Sequence, residues 1–431
     1  MKQTRKYKFT IVIPTFQRAN LLENTIKSCL LQNHENFQLL ISNNFSLDNT
    51  REILNKYENH SKVKVIHTAK KLSMPEHWEF MMDYIEGDYV MIIGDDDGLR
   101  TDFLNIIEDV IIKTNSNIIK VKGGLYFHND WPNSERNTFS FDSNCTGGIY
   151  EIDTDYVIDS FCKFSSYEFF PNLLLTVFSM DLFNQAKLVA NKMFVGAPDF
   201  SCPFLLLVQK NAKLCYIDDI LAYGGRSKNS NAAYYSEQKD KKSQSERIKE
   251  FISELNAEIR FPHHNLLITT QGNFVPAAFS YAKYFYPERL LNFKLDNFEL
   301  AKIIQSDLAE EYTSNRVSFH DKNELLIFKN FVNALPNNHK NYIKSMPGKF
   351  SIKGRILLFG KLIRNKLFKL MNFKKTTNDI AWDTTIQLSS IEIHNSFDFT
   401  INLINILKKY KRQIIFKSEK FNNFKFIEFI N

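Results

Sequence analysis

The first 120 residues alternate between short apolar runs and longer stretches whose apolar positions recur three and four apart. Phe9–Ile13, Phe37–Ile41, Val63–Ile66, Tyr89–Ile93 and Ile118–Val121 read as buried strands, the first closed by Pro14. Between them Leu22, Ile26, Cys29 and Leu30 fall on one helical face, with Asn20 as the expected N-cap and Glu23 three residues on. Asp48–Tyr57 and Thr101–Ile111 read as further helices. Ser73 and Glu76 carry the signature of a capping box, opening a helix with Trp78, Met81, Met82 and Ile85 on one face. Strands separated by helices of this length predict βαβ units, and so an α/β fold with a mostly parallel sheet and flanking helices.

From Gly123 to about Leu221 the pattern loosens into short mixed elements around Pro171–Phe183 and Phe204–Val208. Arg226–Arg247 is polar and reads as a loop or linker. Residues 246–335 look mainly helical, with Ile248, Phe251, Ile252 and Leu255 at helical spacing. Phe399–Tyr410 reads as a helix and Ile414–Phe416 as a strand. A chain of 431 residues exceeds one core of ordinary size. The pattern divides it into 1–235, a mainly helical 236–345, a basic 346–376 and a small 377–431.

Composition narrows the class. A hydrophobic share of 44% and a charged share of 24% are those of a globular protein and exclude disorder as the default. The five cysteines are odd in number, widely spaced and lack a CxxC pair. That pattern excludes a disulfide framework or thiolate zinc site and predicts a reducing compartment. Met1–Lys8 is polar and basic, which predicts no signal peptide. No run approaches the roughly 18 apolar residues of a membrane span.

The net charge of +7 is local, because residues 340–375 hold 11 basic side chains and no acidic one. Within it, Ile352–Met371 interleaves Ile356, Leu357, Phe359, Leu362, Ile363, Leu367 and Leu370 with lysines and arginines. Such a helix suits either an anionic bilayer surface or an ordinary packed helix with a solvated cationic face. His263-His264 has no third ligand in view and reads as loop.

The densest chemistry is Gly94-Asp95-Asp96-Asp97-Gly98, directly after the fourth strand. Adjacent carboxylates repel, and oxygen-only ligation suits a hard cation such as Mg²⁺ or Mn²⁺. Ligands of open parallel sheets bind outside the carboxyl ends of the strands, which is where this run falls. The same composition also suits a solvated acidic turn. Pro14-Thr15-Phe16-Gln17-Arg18 and Ser42-Asn43-Asn44-Phe45-Ser46 end the first two strands with polar groups able to read a base and ribose, or simply to lead into helices. No glycine-rich phosphate loop is present, so a bound diphosphate would meet a metal and basic side chains.

Taken in order, Phe9–Arg18, Leu40–Asp48 and Gly87–Asp97 resemble the family 2 glycosyltransferases of GT-A fold, across roughly residues 8–230. The resemblance implies that Pro14, Thr15 and Arg18 form the first nucleotide-contacting loop. Asn43, followed by Asn44, stands where the family usually has an aspartate that hydrogen-bonds the base; a UDP-sugar is the favoured donor. Asp95–Asp97 match the DXD region, with Asp97 as metal ligand, Asp96 on ribose or metal, and Asp95 on the donor. Asp199 in Gly196-Ala-Pro-Asp-Phe200 matches the general base, with a helix N-cap as its other reading and Asp219 as a weaker competitor. Tyr223–Lys228 matches the loop that closes over the diphosphate, Arg226 and Lys228 being either its counter-charges or solvated cations.

The implied activity is metal-dependent, inverting sugar transfer from a nucleotide sugar to a hydroxyl. The acceptor would be a glycan or a lipid-linked molecule in bacterial cell-surface polysaccharide synthesis in the cytoplasm. No nucleic-acid partner is expected. Two rivals are a sugar nucleotidyltransferase and a non-catalytic module binding nucleotide, glycan or membrane. The first would need a glycine-rich, lysine-containing loop that Phe16-Gln17-Arg18-Ala19 does not supply.

Overall fold

The computed structural model describes residues 6–132, 134–228, 230, 274–313, 322–348, 352, 354–360, 363, 384–388, 393, 395–410 and 424–430. Most of Arg226–Arg247, the Ile248–Leu255 helix, His263-His264, Ile414–Phe416 and most of Ile352–Met371 therefore lie outside the described residues.

The chain runs β1 (Phe9–Thr15), α1 (Ala19–Leu30), β2 (Phe37–Asn43), α2 (Thr50–Asn55), β3 (Val63–His67), α3 (Met74–Met82), β4 (Tyr89–Ile92), β5 (Gly98–Leu99) and α4 (Phe103–Thr114). It continues through β6 (Ile118–Phe127), β7 (Thr138–Phe141), β8 (Gly148–Ile152), α5 (Thr154–Cys162), β9 (Thr176–Ser179), α6 (Met180–Val189), α7 (Pro198–Leu207) and β10 (Leu214–Arg226). Then follow α8 (Phe274–Phe285), α9 (Asn297–Thr313), α10 (Lys322–Ala334), α11 (Asn337–Ser345), β11 (Thr384–Gln387), α12 (Ser396–Tyr410) and β12 (Lys425–Phe429).

All strands join one sheet with the path β12-β8-β10-β6-β9-β4-β1-β2-β3. The α/β expectation holds, and β4, β1, β2 and β3 are parallel. Beyond β4 the sheet is mixed: β9 inserts antiparallel between β4 and β6, and β8 runs antiparallel to β10. The parallel block is continuous apolar sequence because both faces are covered. Ile11, Ile13, Leu39 and Ile41 pack on one side with Leu22, Ile26 and Cys29 of α1 and Phe103, Ile107 and Ile111 of α4. Val12, Leu40 and Val90 pack on the other side with Trp78 and Met81 of α3, Phe183 of α6 and Phe204 of α7.

Local signals were realised unevenly. The Ser73–Glu76 capping box forms as expected. Asn20 is not the cap of α1. Arg18 holds that position without a side-chain cap bond, and Ala19 N donates instead to Asp48 Oδ2 at 3.1 Å. Asn20 is one residue inside the helix because an acid from the next loop satisfies the exposed amide.

The described elements of 377–431 join the main sheet and its core. β11 pairs with β7, β12 pairs with β8, and α12 buries Phe399, Leu403 and Leu407 against Tyr126, Phe139 and Tyr223. Tyr223 Oη also bonds to Ser396 O at 2.9 Å and Thr400 Oγ1 at 2.7 Å. The helical expectation for the preceding stretch holds where it is described: α8 packs into the main core through Val275, Ala278 and Phe279, while α9, α10 and α11 share a smaller cluster of Leu300, Ile304, Phe328, Val332 and Ile343.

Candidate active site

The parallel register sets Thr15, Asn43 and His67 side by side at the carboxyl ends of β1, β2 and β3. Asp95, Asp96 and Asp97 leave β4 at the same edge, since β4 runs parallel to β1 and Ile93 N donates to Val12 O. This is the edge where open parallel sheets hold ligands. The three aspartates are buried, so their charges must be met within the protein.

They are met in three directions. Asp95 accepts from Thr15 Oγ1 at 2.7 Å and pairs with Arg18 Nη1 at 2.8 Å. Asp96 Oδ2 pairs with Arg18 Nη2 and accepts from Ser227 Oγ at 3.1 Å and Ser230 Oγ at 2.9 Å. Asp97 accepts two backbone amides, Gly94 N at 2.6 Å and Gly225 N at 2.8 Å. Thr25 Oγ1 of α1 completes the support by donating to the carbonyls of Asp95 and Asp97 at 2.9 and 3.1 Å. His128 Nε2 lies 3.1 Å from the Asp96 carbonyl.

Electrostatics sorts the trio. Burial and the Asp96 charge hold Asp97 above the usual carboxylate range. Burial also raises Asp95, against the pull of Arg18 and with the Asp96 charge adding to the rise. Burial pushes Asp96 the same way, yet Arg18, His128, Ser230 and Arg226 keep it below its ordinary value. Asp96 is therefore the carboxylate that the surroundings keep charged. Burial opposes the charge of Arg18, but Asp95 and Asp96 bind its proton more tightly than water does.

The trio is not a ready cage. Among the described residues no three His, Cys, Asp or Glu side chains converge as ligands. Arg18 and backbone amides relieve part of the repulsion among the adjacent carboxylates. A hard ion still fits. Among the described residues the hydrogen bonds to the Asp96 carboxylate fall on Oδ2. Asp96 Oδ1 and Asp97 Oδ2 both lie close beside the Gly94 backbone, each 3.1 Å from where a Cβ would stand. Mg²⁺ is ordinarily held by one or two carboxylates together with water and substrate phosphate, which is the ligand set Asp96 and Asp97 could supply.

The remaining expected residues divide. Arg226, at the end of β10, lies near enough to lower both Asp96 and Asp97. Lys228 is exposed. Pro14 pairs with Ser42 across the β1–β2 ladder and keeps its place beside Thr15. Asn43 and Asn44 are buried and already engaged. Asn43 Oδ1 accepts from Ser46 N at 3.0 Å, and its Nδ2 lies 3.2 Å from His67 Nδ1. Asn44 pins the following loop by exchanging bonds with Leu72 N at 2.8 Å and Leu72 O at 2.9 Å. Asn44 thus ties the end of β2 to the segment that leads into α3.

Asp199 lies in the first turn of α7 and is not the N-cap; Ala197 holds that position. Its buried Oδ1 has no hydrogen-bond partner among the described residues, and burial raises the carboxyl to about 6. No hydrogen bond or ion pair joins it to the aspartate trio among the described residues. Asp219 is spent on structure, pairing with Arg100 Nη1 at 3.2 Å beside the irregularity in β10.

Sequence reasoning missed Thr25, His128 and Ser230, and held Gly225 and Ser227 only as members of the expected Tyr223–Lys228 loop. Gly225 had a signal, as the second of two adjacent glycines at the end of a strand. A Cβ there would lie 2.0 Å from the Asp96 carbonyl oxygen, so the approach of β10 to the aspartates requires glycine.

Residues 10–171 match the family model described as glycosyl transferase family 2. The chain is 26% identical over 155 residues to the abequosyltransferase RfbV of Salmonella typhimurium, covering 32% of this chain and 45% of that protein. It is 25% identical over 96 residues to a putative teichuronic acid biosynthesis glycosyltransferase, TuaG of Bacillus subtilis, covering 22% and 38%. The matches thus span less than half the length of these curated relatives. Among solved structures, S. aureus TarS 1-349 in complex with UDP-GlcNAc is similar at a TM-score of 0.45 and 15% identity, over 88% of this chain and 95% of that one.

Proposed function

We propose, from the premise that residues 10–171 make this chain a member of glycosyl transferase family 2, that it transfers a sugar from a nucleotide-diphosphate sugar to an acceptor hydroxyl with inversion. The observation that carries the reading is the Arg18–Asp95–Asp96 cluster at the carboxyl edge of β1 and β4, with Ser227, Ser230 and Arg226 brought to it by β10. A soluble acidic turn would not be buried and matched on every side by specific partners.

The chain's own residues have distinct tasks. Thr15 and Arg18 hold Asp95 and the charged Asp96 in place beside the donor. Asp96 Oδ1 and Asp97 would hold Mn²⁺ or Mg²⁺, which when bound supplies charge to the diphosphate as it departs. Arg226 and Lys228 add positive charge on the same side, and stabilisation of this kind is commonly the largest contribution to rate. Asp199 takes the proton of the acceptor hydroxyl. The acceptor oxygen then bonds to the anomeric carbon as the bond from that carbon to phosphate oxygen breaks, and the nucleoside diphosphate leaves. A positioned base is typically worth about 10²–10⁴ in rate. The orphan Oδ1 of Asp199 and its raised carboxyl, poised near neutral pH, support this role.

The acceptor is read as a growing cell-surface glycan or its lipid-linked precursor, as the names of the abequosyltransferase and the teichuronic acid enzyme suggest. Five buried, unpaired thiols support work in the reducing cytoplasm. A UDP-sugar remains the favoured donor, although Asn43 offers the base an amide already engaged with Ser46 and His67.

The test is heat denaturation with UDP-, CDP- and GDP-sugars, each with and without Mn²⁺, followed by product analysis. One nucleotide class should raise the melting temperature in a Mn²⁺-dependent way and yield free nucleoside diphosphate. If no nucleotide sugar shifts melting, the donor site is wrong. Binding without turnover under any acceptor would favour the non-catalytic module.

A further inference from the structure

The described residues of 352–363 put large apolar side chains into water at a density matched nowhere else among the described residues. Ile352 is 78% exposed, Ile356 66%, Phe359 65% and Ile363 45%. Their spacing of four, three and four residues places them in one stripe along a helix, and 354–360 is helical. Leu357 flanks the stripe at 43% exposure. Gly354 and Leu358, on the opposite side, are buried. Gly348 N donates to Gly354 O at 3.1 Å, and Gln305 Nε2 of α9 donates to Pro347 O at 2.6 Å. The stretch is docked by one face and presents the other.

The charge along this stretch of sequence has one sign. Residues 340–375 include 11 basic and no acidic residues, and Arg355 is exposed next to the stripe. Two copies of such a face would repel one another. A nucleic acid would meet the positive charge but leave the isoleucines unused, since bases stack on aromatic rings. An anionic bilayer satisfies both features, taking aliphatic side chains into the headgroup–acyl boundary while its lipid charge attracts the basic residues.

We propose that 352–363 is a docking strip that lays this chain on an anionic lipid surface, with Ile352, Ile356, Phe359 and Ile363 as its inserted residues. The strip is independent of the transfer chemistry and would hold the protein at a membrane whatever the acceptor.

The experiment is co-sedimentation of the full chain with vesicles of phosphatidylcholine alone or of phosphatidylcholine mixed with phosphatidylglycerol, at low and high salt. Binding is expected only to the phosphatidylglycerol vesicles, and high salt should weaken it. Ile356→Asp combined with Phe359→Asp should lower the vesicle partition by about tenfold or more. Ile352→Asp, at the most exposed position of the stripe, should lower it in the same direction with its melting temperature unchanged. The proposal is overturned by three results: no binding at low salt, undiminished binding of these variants, or a dimer in sedimentation velocity that the double substitution dissociates. Donor-induced stabilisation of the double variant is expected to match the parent, so loss of docking and loss of the transferase reading are separable.

Discussion

Arg18 and Asp96 form a buried ion pair whose acidic member is also bonded to Ser227 and Ser230, arriving from the end of β10. Arg18 reaches Asp95 as well, so one guanidinium balances two carboxylates. It stands where a cation is needed as long as no other cation is bound.

Arg18→Met should therefore leave a buried acidic pair without its counter-charge. Breaking such a pair costs about 3–5 kcal/mol. The variant should melt well below the parent, and Mn²⁺ should recover part of the loss, so that the stabilisation by Mn²⁺ is larger in the variant. Thermal melts of both proteins across a Mn²⁺ series check this. A variant as stable as the parent would mean that Asp95 and Asp96 do not depend on Arg18.

Ser227 and Ser230 hold Asp96 and touch Arg18. Alanine at both positions removes hydrogen bonds to charged groups worth about 1.5–3 kcal/mol apiece. We expect the donor KM to rise about tenfold or more with kcat falling less, because these residues position the donor-side carboxylate and take no part in proton transfer. Steady-state kinetics with the donor varied gives the split. An unchanged KM would show that the serines only brace the fold.

Gly225→Ala tests the approach of β10. The new Cβ has no room against the Asp96 carbonyl, and the Gly225 N–Asp97 bond would be lost as the strand moves away. Destabilisation of about 1–3 kcal/mol is expected, with donor-induced stabilisation abolished. Chemical denaturation and the donor melt, measured together, separate the two effects.

Asp199 gives a pH dependence. Burial raises its carboxyl from the ordinary value of 3.8 to about 6, so it becomes a base only as pH rises through that value. Transfer should climb over this range and level off above it. The stability contribution has the opposite sense: the neutral carboxyl suits its buried position, and its ionisation reduces stability as pH rises through about 6. Asp199→Asn should abolish transfer and flatten both curves while leaving donor binding intact. A rate profile that keeps its rise in the asparagine variant would assign the base elsewhere.

Much of this site could be read in the chain because its parts are local. The acidic run follows an apolar strand directly, and the Ser73–Glu76 box is contained in four residues. What escaped reading depends on partners far apart in sequence. Ser227 falls within the expected Tyr223–Lys228 loop, but no local feature tells that it and Ser230 face Asp96, a contact made through the β6–β10 pairing. The antiparallel insertion of β9 escaped for the same reason, as periodicity marks a strand but not its neighbour or direction. Asn20 failed as a cap because Asp48, from another loop, was better placed for the amide of Ala19. The Asn44–Leu72 bonds were hidden likewise: a buried side-chain amide must satisfy its own donors and acceptor, and here the partner lies 28 residues on.

The outermost strand, β12, covers β8, which is encoded far upstream. Until β12 has been synthesised, Gly148–Ile152 keeps one flank of unpaired amides and carbonyls beside the apolar side chains of Ile149 and Tyr150. A growing or truncated chain in that condition offers an open template to its neighbours. Once β12 is in place, Lys425 pairs with Glu151 and Glu428 with Lys113 along the new border. This border of the sheet thus carries charged side chains that discourage further strand addition, and chains cut before Lys425 should be prone to clump.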